Sequence, residues 1–331
     1  MPKIIVGFSS TPPRVNSIVE TVLSLKNQLL KPDEIVLSIP KVSARFGVPY
    51  DITNPELLAL ITDGTLIINE IDHDYGPATK FVGLLYRNYN PDDLLVWLDD
   101  DIKYGPAVLQ CLSKRIRPNN AISFSVFNFA KNGSLAPLNY SKIKPHDKFD
   151  VVEGYATIAT YQKNMPRLQD LEVYNIRPQT TKSLKTISKK ERLEFMSDDF
   201  TISQYFKKNN IEMNIVADGS CRKDKADHIT PLNLGLKDDA LHKQTTDQTA
   251  ENTNHYNYTY LLNYGKNSDE QNKSYGNVSQ CDVSCTSLAD GWQSHSNSQN
   301  QSTRIVFASI LLFFLVMCIV FLLVACKPSS L

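Results

Sequence analysis

Three consecutive carboxylates, Asp99, Asp100 and Asp101, directly follow the apolar run Val96-Trp97-Leu98. Adjacent carboxylates at the end of a buried strand repel one another unless something neutralises them. A divalent cation is the natural partner. Alternation along a strand puts Asp99 and Asp101 on one side and turns Asp100 away. Two hard oxygen donors on one side, with coordination positions left for phosphate oxygens, suit Mg²⁺ or Mn²⁺. The same pattern also describes a solvated acidic turn. A second group, Ser9-Ser10-Thr11-Pro12-Pro13-Arg14, gathers hydroxyls, free backbone N–H groups and a guanidinium. That chemistry suits a nucleotide or its phosphates, although Thr11 before two prolines is also an ordinary helix start. A third, Asp74-Tyr75-Gly76-Pro77-Ala78-Thr79-Lys80, offers a glycine for close backbone approach and a lysine within reach of a phosphate.

The elements around these residues alternate. Lys3–Ser9 reads as a buried strand, Arg14–Leu30 as a helix, and Glu34–Ile39 as a second strand. Leu57–Ile61 reads as a short helix, Thr65–Ile71 as a strand and Pro77–Tyr86 as a helix. Leu94–Leu98 and Pro106–Ile116 complete the series. Four strand–helix alternations predict a parallel sheet covered on both faces, with ligands at the carboxyl ends of its strands. Ser9 to Arg14 and the aspartate triplet stand at two such ends. Further on, Ala121–Phe129 and Val151–Thr160 read as longer strands, Asp198–Lys208 as a helix and Ile211–Val216 as a last strand. Thr180–Lys190 has the basic, hydroxyl-rich composition of a mobile loop.

In order along the chain stand Thr11-Pro12-Pro13-Arg14, Gln28 to Ile35 and Asp74 to Lys80. Asp99-Asp100-Asp101 with Ile102-Lys103-Tyr104, Glu153-Gly154-Tyr155 and Ser197-Asp198-Asp199-Phe200 follow. The set resembles the GT-A class of glycosyltransferases, of Asp-x-Asp type, over residues 3–243. The resemblance implies an α/β fold with a Rossmann-like mixed sheet flanked by helices. It implies transfer of a sugar from a UDP- or GDP-sugar to a hydroxyl of a glycan, lipid or protein acceptor, with Mn²⁺ or Mg²⁺ as cofactor. Ser9, Thr11, Arg14, Lys80, Asp99 and Asp100 would then face the nucleotide sugar, with Asp99 near its ribose or sugar. Asp101 would ligate the metal with Asp99, and His228 would be a further ligand. Asp199, with Asp198 beside it, would be the general base of an inverting displacement. Capping explains acidic residues at that helix start equally well.

Lys plus Arg and Asp plus Glu are 35 each, so no basic excess points to nucleic acid. The balance hides a change of character. Residues 1–243 read as the enzyme domain and 244–304 as a polar tether, with 21 Asn, Gln, Ser or Thr among residues 265–303. Ile305–Cys326 is free of charge and, at ~1.5 Å per residue, spans a bilayer core as a transmembrane helix. Residues 327–331 form a short tail. No secretory signal opens the sequence, so the expected arrangement is a single-pass C-terminal anchor with a cytosolic catalytic domain. Cys111 and Cys221 stand apart and read as reduced thiols. Cys281 and Cys285, with His295 nearby, are too few for a metal knuckle. Asn257, Asn272, Asn277 and Asn300 fit the glycosylation acceptor pattern, which an Asn- and Ser-rich segment produces by chance. Two other readings compete. A sugar nucleotidyltransferase would carry glycines where Thr11-Pro12-Pro13-Arg14 stands. An inactive, tail-anchored adaptor would have no need of an intact triplet and an intact Asp198-Asp199.

Overall fold

The computed structural model describes residues 2–131, 135–136, 138–139, 142–144, 146–216 and 229–232. The tether, the apolar segment 305–326, the spacer cysteines, the four glycosylation patterns and His228 lie outside them. Among the described residues, no helix is long and apolar enough to cross a membrane.

The fold is mixed α/β around a sheet of mostly parallel strands. β1 (Ile4–Phe8) is followed by α1 (Val19–Lys26), β2 (Glu34–Pro40), α2 (Pro55–Thr62), β3 (Ile67–Ile71), α3 (Thr79–Leu85) and β4 (Leu94–Trp97). Then come β5 (Ile102–Tyr104), α4 (Val108–Arg115), β6 (Asn120–Ser123), β7 (Val126–Phe129) and β8 (Leu135–Ala136). The described chain continues with β9 (Val151–Val152), β10 (Ile158–Tyr161), α5 (Thr181–Leu184), α6 (Lys189–Met196), α7 (Asp198–Lys208), β11 (Glu212–Ile215) and β12 (Ile229–Pro231). The main sheet runs in the order β11-β6-β10-β4-β1-β2-β3. β1 pairs in parallel with β2 and β4, β2 with β3, and β6 with β11. β10 alone runs antiparallel, between β4 and β6.

Alternation along the strands builds two cores. Val6, Phe8, Leu37, Val96 and Leu98 face one side, where Val22 and Leu25 of α1, Leu57 of α2 and Leu109 of α4 cover them. Ile5, Val36, Leu95 and Trp97 face the other, under Phe81 and Leu84 of α3 and Ile202 and Phe206 of α7. Trp97 lies between two aromatic rings, 5.6 Å from Phe81 and 6.4 Å from Phe206. Both faces of the sheet are thus buried, as a near-continuous apolar strand such as Leu94–Trp97 requires.

Four expectations are corrected. The first helix is split: a 3-10 turn over Val15–Ser17 precedes α1, because the N–H groups of Arg14 and Val15 both bond back to the Thr11 carbonyl. The helix ends at Lys26. Gln28, fully buried, instead donates to the Gly105 carbonyl at 2.7 Å and accepts the Leu109 N–H, pinning the start of α4.

The two long strands are each broken. Ser123 accepts the Ser125 N–H at 3.0 Å and donates to the Glu153 carbonyl. β6 therefore stays in the main sheet while β7 leaves for a small sheet with β8 and β9. Gly154–Ala156 forms a 3-10 turn rather than a strand, followed by Thr157 at φ +67°. A β-branched residue in that region costs ~1–3 kcal/mol, and here it is held by fully buried surroundings.

Residues 180–190 are not one loop: α5 covers Thr181–Leu184 and α6 begins at Lys189, with a turn between them. Capping boxes at Thr180/Ser183 and Ser188/Glu191 start α5 and α6. Finally, Cys111 is disulfide-bonded rather than a free thiol.

Candidate active site

β1 and β4 lie side by side in parallel, so the residues after Phe8 and after Trp97 meet at one end of the sheet. The three aspartates occupy the turn between β4 and β5. The premise that they continue a strand does not hold, yet their division does. Asp100 is buried, while Asp99 and Asp101 are about a third exposed on the cleft, 36% for each side chain.

Asp100 is the anchor of the turn. It accepts from the Ser10 hydroxyl and from the Arg14 guanidinium, and its carbonyl accepts from Thr21 at 2.8 Å. Burial pushes its carboxyl up to about 6, against the pull of Arg14, with Asp101 adding to the push. Arg14 reaches Asp101 with its other nitrogen at 3.1 Å. Burial lowers the Arg14 guanidinium, but Asp100, Asp101 and Asp99 outweigh that and hold it above its ordinary value. Asp101 is raised by burial and then by Asp99.

Lys80 joins the triplet to the acid pair. Its ammonium, on the buried helix α3, lies 2.8 Å from Asp99 and 2.9 Å from Asp198. The second contact is an ion pair whose angles fall short of a hydrogen bond, which leaves that Asp198 oxygen without one. Burial would lower the lysine, yet Asp198, Asp99 and Asp199 hold it well above its usual range. Asp199 accepts the Gly154 N–H at 2.9 Å. Its carboxyl is held well above the ordinary range by burial and by Asp198, with Lys80 pulling the other way. Asp198 is raised by burial against the pull of Lys80. Gly154 has no room for a side chain: a Cβ would fall 2.7 Å from the Lys80 nitrogen and 2.8 Å from Asp199.

Asp74 positions Lys80 from beneath. It accepts the N–H groups of Ala44 at 2.6 Å and Gly76 at 2.7 Å, closing the turn that starts α3. Gly76 takes φ +62°, and a Cβ there would fall 2.8 Å from the Phe195 carbonyl. Tyr104 caps the other side, accepting the Asp99 N–H at 3.0 Å.

One cleft is therefore lined by Ser9, Thr11, Arg14, Lys80, Asp99, Asp100, Asp101, Asp198 and Asp199, every named candidate except His228. β12, which begins at the residue after His228, pairs with β5, and the Leu232 N–H donates to the Asp101 carbonyl at 2.7 Å. Asp74, Arg45, Tyr50, Tyr155, Phe195 and Met196 also line it. Arg45, Tyr50, Phe195 and Met196 carried no sequence signal, because loops and the end of α6 bring them in. Glu153 faces elsewhere and bonds to the Ser125 hydroxyl at 2.6 Å.

The lining holds six carboxylates against three cations. An anionic ligand entering it needs a further positive charge. Asp99 and Asp101 supply hard oxygen donors on one wall and so fit Mg²⁺ or Mn²⁺. Among the described residues, no cluster of three or more His, Cys, Asp or Glu side chains is arranged to bind a metal. The Thr11 hydroxyl and the Arg14 Nε are buried beside them without a hydrogen-bond partner.

The raised Asp100 pKa sets a pH dependence of stability. A carboxyl lifted in the folded state stabilises fully below its ordinary value of 3.8, and that contribution is lost as pH rises through about 6. Asp100→Asn keeps the shape and removes the titration. Urea unfolding should show the advantage of the native protein over this variant shrinking from pH 4 to pH 7, by up to about 3 kcal/mol. An advantage that grew over that interval would contradict the burial of Asp100.

No protein-family model matches the chain, and no curated protein matches it. Among solved structures, 4-diphosphocytidyl-2C-methyl-D-erythritol synthase is similar at 9% identity and TM-score 0.37, covering 79% of this chain and 100% of that one. S. aureus TarS 1–349 is similar at 13% identity and TM-score 0.39, covering 84% and 75%. The same protein in complex with UDP is similar at 14% and 0.37, covering 65% and 58%. Likenesses this distant leave the functional argument to the cleft itself.

Proposed function

We propose that the chain is a GT-A-type glycosyltransferase that moves a sugar from a nucleoside-diphosphate sugar to an acceptor hydroxyl with a divalent cation. One observation carries the reading. Lys80 ties two carboxylate groups of different character into a single cleft, Asp99 of the turn and Asp198 of the acid pair. A reaction that needs an anionic leaving group at one end and a proton acceptor at the other fits that layout.

Asp99 and Asp101 would hold Mn²⁺ or Mg²⁺, with His228 as a further ligand. When bound, the cation would neutralise charge growing on the departing diphosphate. Ser9, Thr11 and Arg14 bind the nucleotide side from the wall of the cleft. Lys80 supports the donor and orients Asp198. The Asp199 carboxylate takes the proton of the acceptor hydroxyl as that oxygen bonds to the anomeric carbon. The bond from that carbon to the diphosphate oxygen breaks on the opposite side, inverting the configuration. Burial makes Asp199 a stronger base than a solvated aspartate, and the Gly154 N–H fixes its orientation. Tyr155 and Phe195 offer ring surface to a sugar.

A turnover screen of UDP- and GDP-sugars tests the proposal. Release of nucleoside diphosphate should require Mn²⁺ or Mg²⁺, and Asp101→Asn should lose most of it. Turnover indifferent to both chelator and Asp101→Asn would remove the metal from the mechanism. Consumption of a nucleoside triphosphate with release of pyrophosphate would instead mark a nucleotidyltransferase.

A further inference from the structure

The cleft has a basic lip on the side of the acid pair. Residues 177–196 contain six lysines and arginines against two glutamates, in a chain whose total charge balances to zero. Both glutamates are engaged. Glu191 accepts from Ser188 and lies 3.8 Å from Arg177, and Glu194 pairs with Lys190 at 2.6 Å. Lys182 and Lys185 are exposed and form no ion pair among the described residues. Arg192 is exposed too and donates one N–H to the Leu184 carbonyl at 2.8 Å.

This lip is a platform tied to the site. The Arg192–Leu184 bond links α6 to α5, and each helix is closed by its capping box. Gln179 donates to the Asp74 carbonyl at 2.8 Å. The Thr181 side chain sits against Gly47, two residues from the cleft-lining Arg45. Phe195 and Met196, at the far end of α6, line the cleft itself and lead directly into Asp198 and Asp199. The segment that carries Lys182, Lys185 and Arg192 is thus joined to the cleft wall at both ends, through Gln179 and through Phe195 and Met196.

We propose that the acceptor is an anionic glycan, whose phosphate or carboxylate groups rest on Lys182, Lys185 and Arg192 while its hydroxyl end reaches Asp199. The proposal rests on the sugar-transfer reading and adds the acceptor class. An exposed charge contributes little alone. Three uncompensated cations on one surface act together, attract an anionic chain over about a Debye length, and do so less at high salt. A neutral acceptor has no use for them.

The test uses the full chain and three fluorescent oligosaccharides of equal length, one phosphorylated, one carboxylated and one neutral, read by anisotropy. The variant Lys182→Gln/Lys185→Gln/Arg192→Gln is compared with Lys31→Gln/Lys114→Gln/Lys163→Gln, an equal charge change at the opposite end of the sheet. An anionic oligosaccharide should bind in preference to the neutral one, and the lip variant should weaken it at least tenfold while the control variant does not. The stronger of the two anionic probes identifies the group recognised. Equal binding of the neutral probe, no binding of any probe, or equal loss in both variants overturns the proposal. Binding to phosphatidylserine vesicles without binding to the oligosaccharides also overturns it and assigns the lip to a membrane surface. UDP binding with Mn²⁺ is measured alongside and should be unchanged in the lip variant. Its failure in the native protein would strike the sugar-transfer reading, and the acceptor role with it.

Discussion

Lys80→Met should destabilise the protein by ~3–5 kcal/mol at pH 7, the usual cost of removing one partner from a buried ion pair. The lysine is 4% exposed and is the cation between Asp99 and Asp198, with Asp199 adjacent. Methionine fills similar space but leaves those carboxylates facing one another. The lysine is held well above its usual range, so its contribution is intact throughout neutral pH and lost only in strong alkali. The variant behaves differently in acid. Asp198 and Asp199 already bind protons more readily than ordinary aspartates, and neutralising them removes the uncompensated charge. Urea unfolding at several pH values should therefore show the deficit shrinking as pH falls from 7 towards 4. A constant deficit would mean that the loss is one of packing alone.

Asp199→Asn should lower sugar transfer by roughly 10²–10⁴-fold, the range that a positioned general base contributes. Asparagine can still accept the Gly154 N–H, so the turn survives and donor binding is expected to stay. In the native protein the acid limb of kcat/KM should lie above the ordinary carboxylate range, because burial and Asp198 raise Asp199. Asp198→Asn removes one of those two causes and should move the limb to lower pH. Full transfer by Asp199→Asn would end its assignment as base. An unmoved limb in Asp198→Asn would separate the pair.

Much of this cleft could be read before any coordinates. The alternating apolar strands and the breaks at Pro12-Pro13 and Pro32-Asp33 are local signals, and the parallel core follows from them. The capping boxes Thr180-x-x-Ser183 and Ser188-x-x-Glu191 were also legible, but the basic, polar composition of that stretch spoke louder than its caps. Other features depend on partners far along the chain. Strand alternation only turns Asp100 away from Asp99 and Asp101 and leaves its role the least certain of the three. Its burial against Ser10 and Arg14, 90 and 86 residues away, makes it the residue that fixes the turn. The breaks after Ser123 and Val152 depend on a serine hydroxyl and on Gly154 meeting Lys80 and Asp199, which no periodicity reveals.

The most direct test of the sugar-transfer reading is calorimetric titration of UDP and GDP into the full chain, with and without Mn²⁺, repeated on Asp101→Asn. The cleft as described predicts that one nucleoside diphosphate binds, that binding needs the cation, and that Asp101→Asn abolishes the cation's effect while Asp199→Asn does not. Absence of binding by either nucleotide, or binding of equal strength without metal and without Asp101, would contradict it.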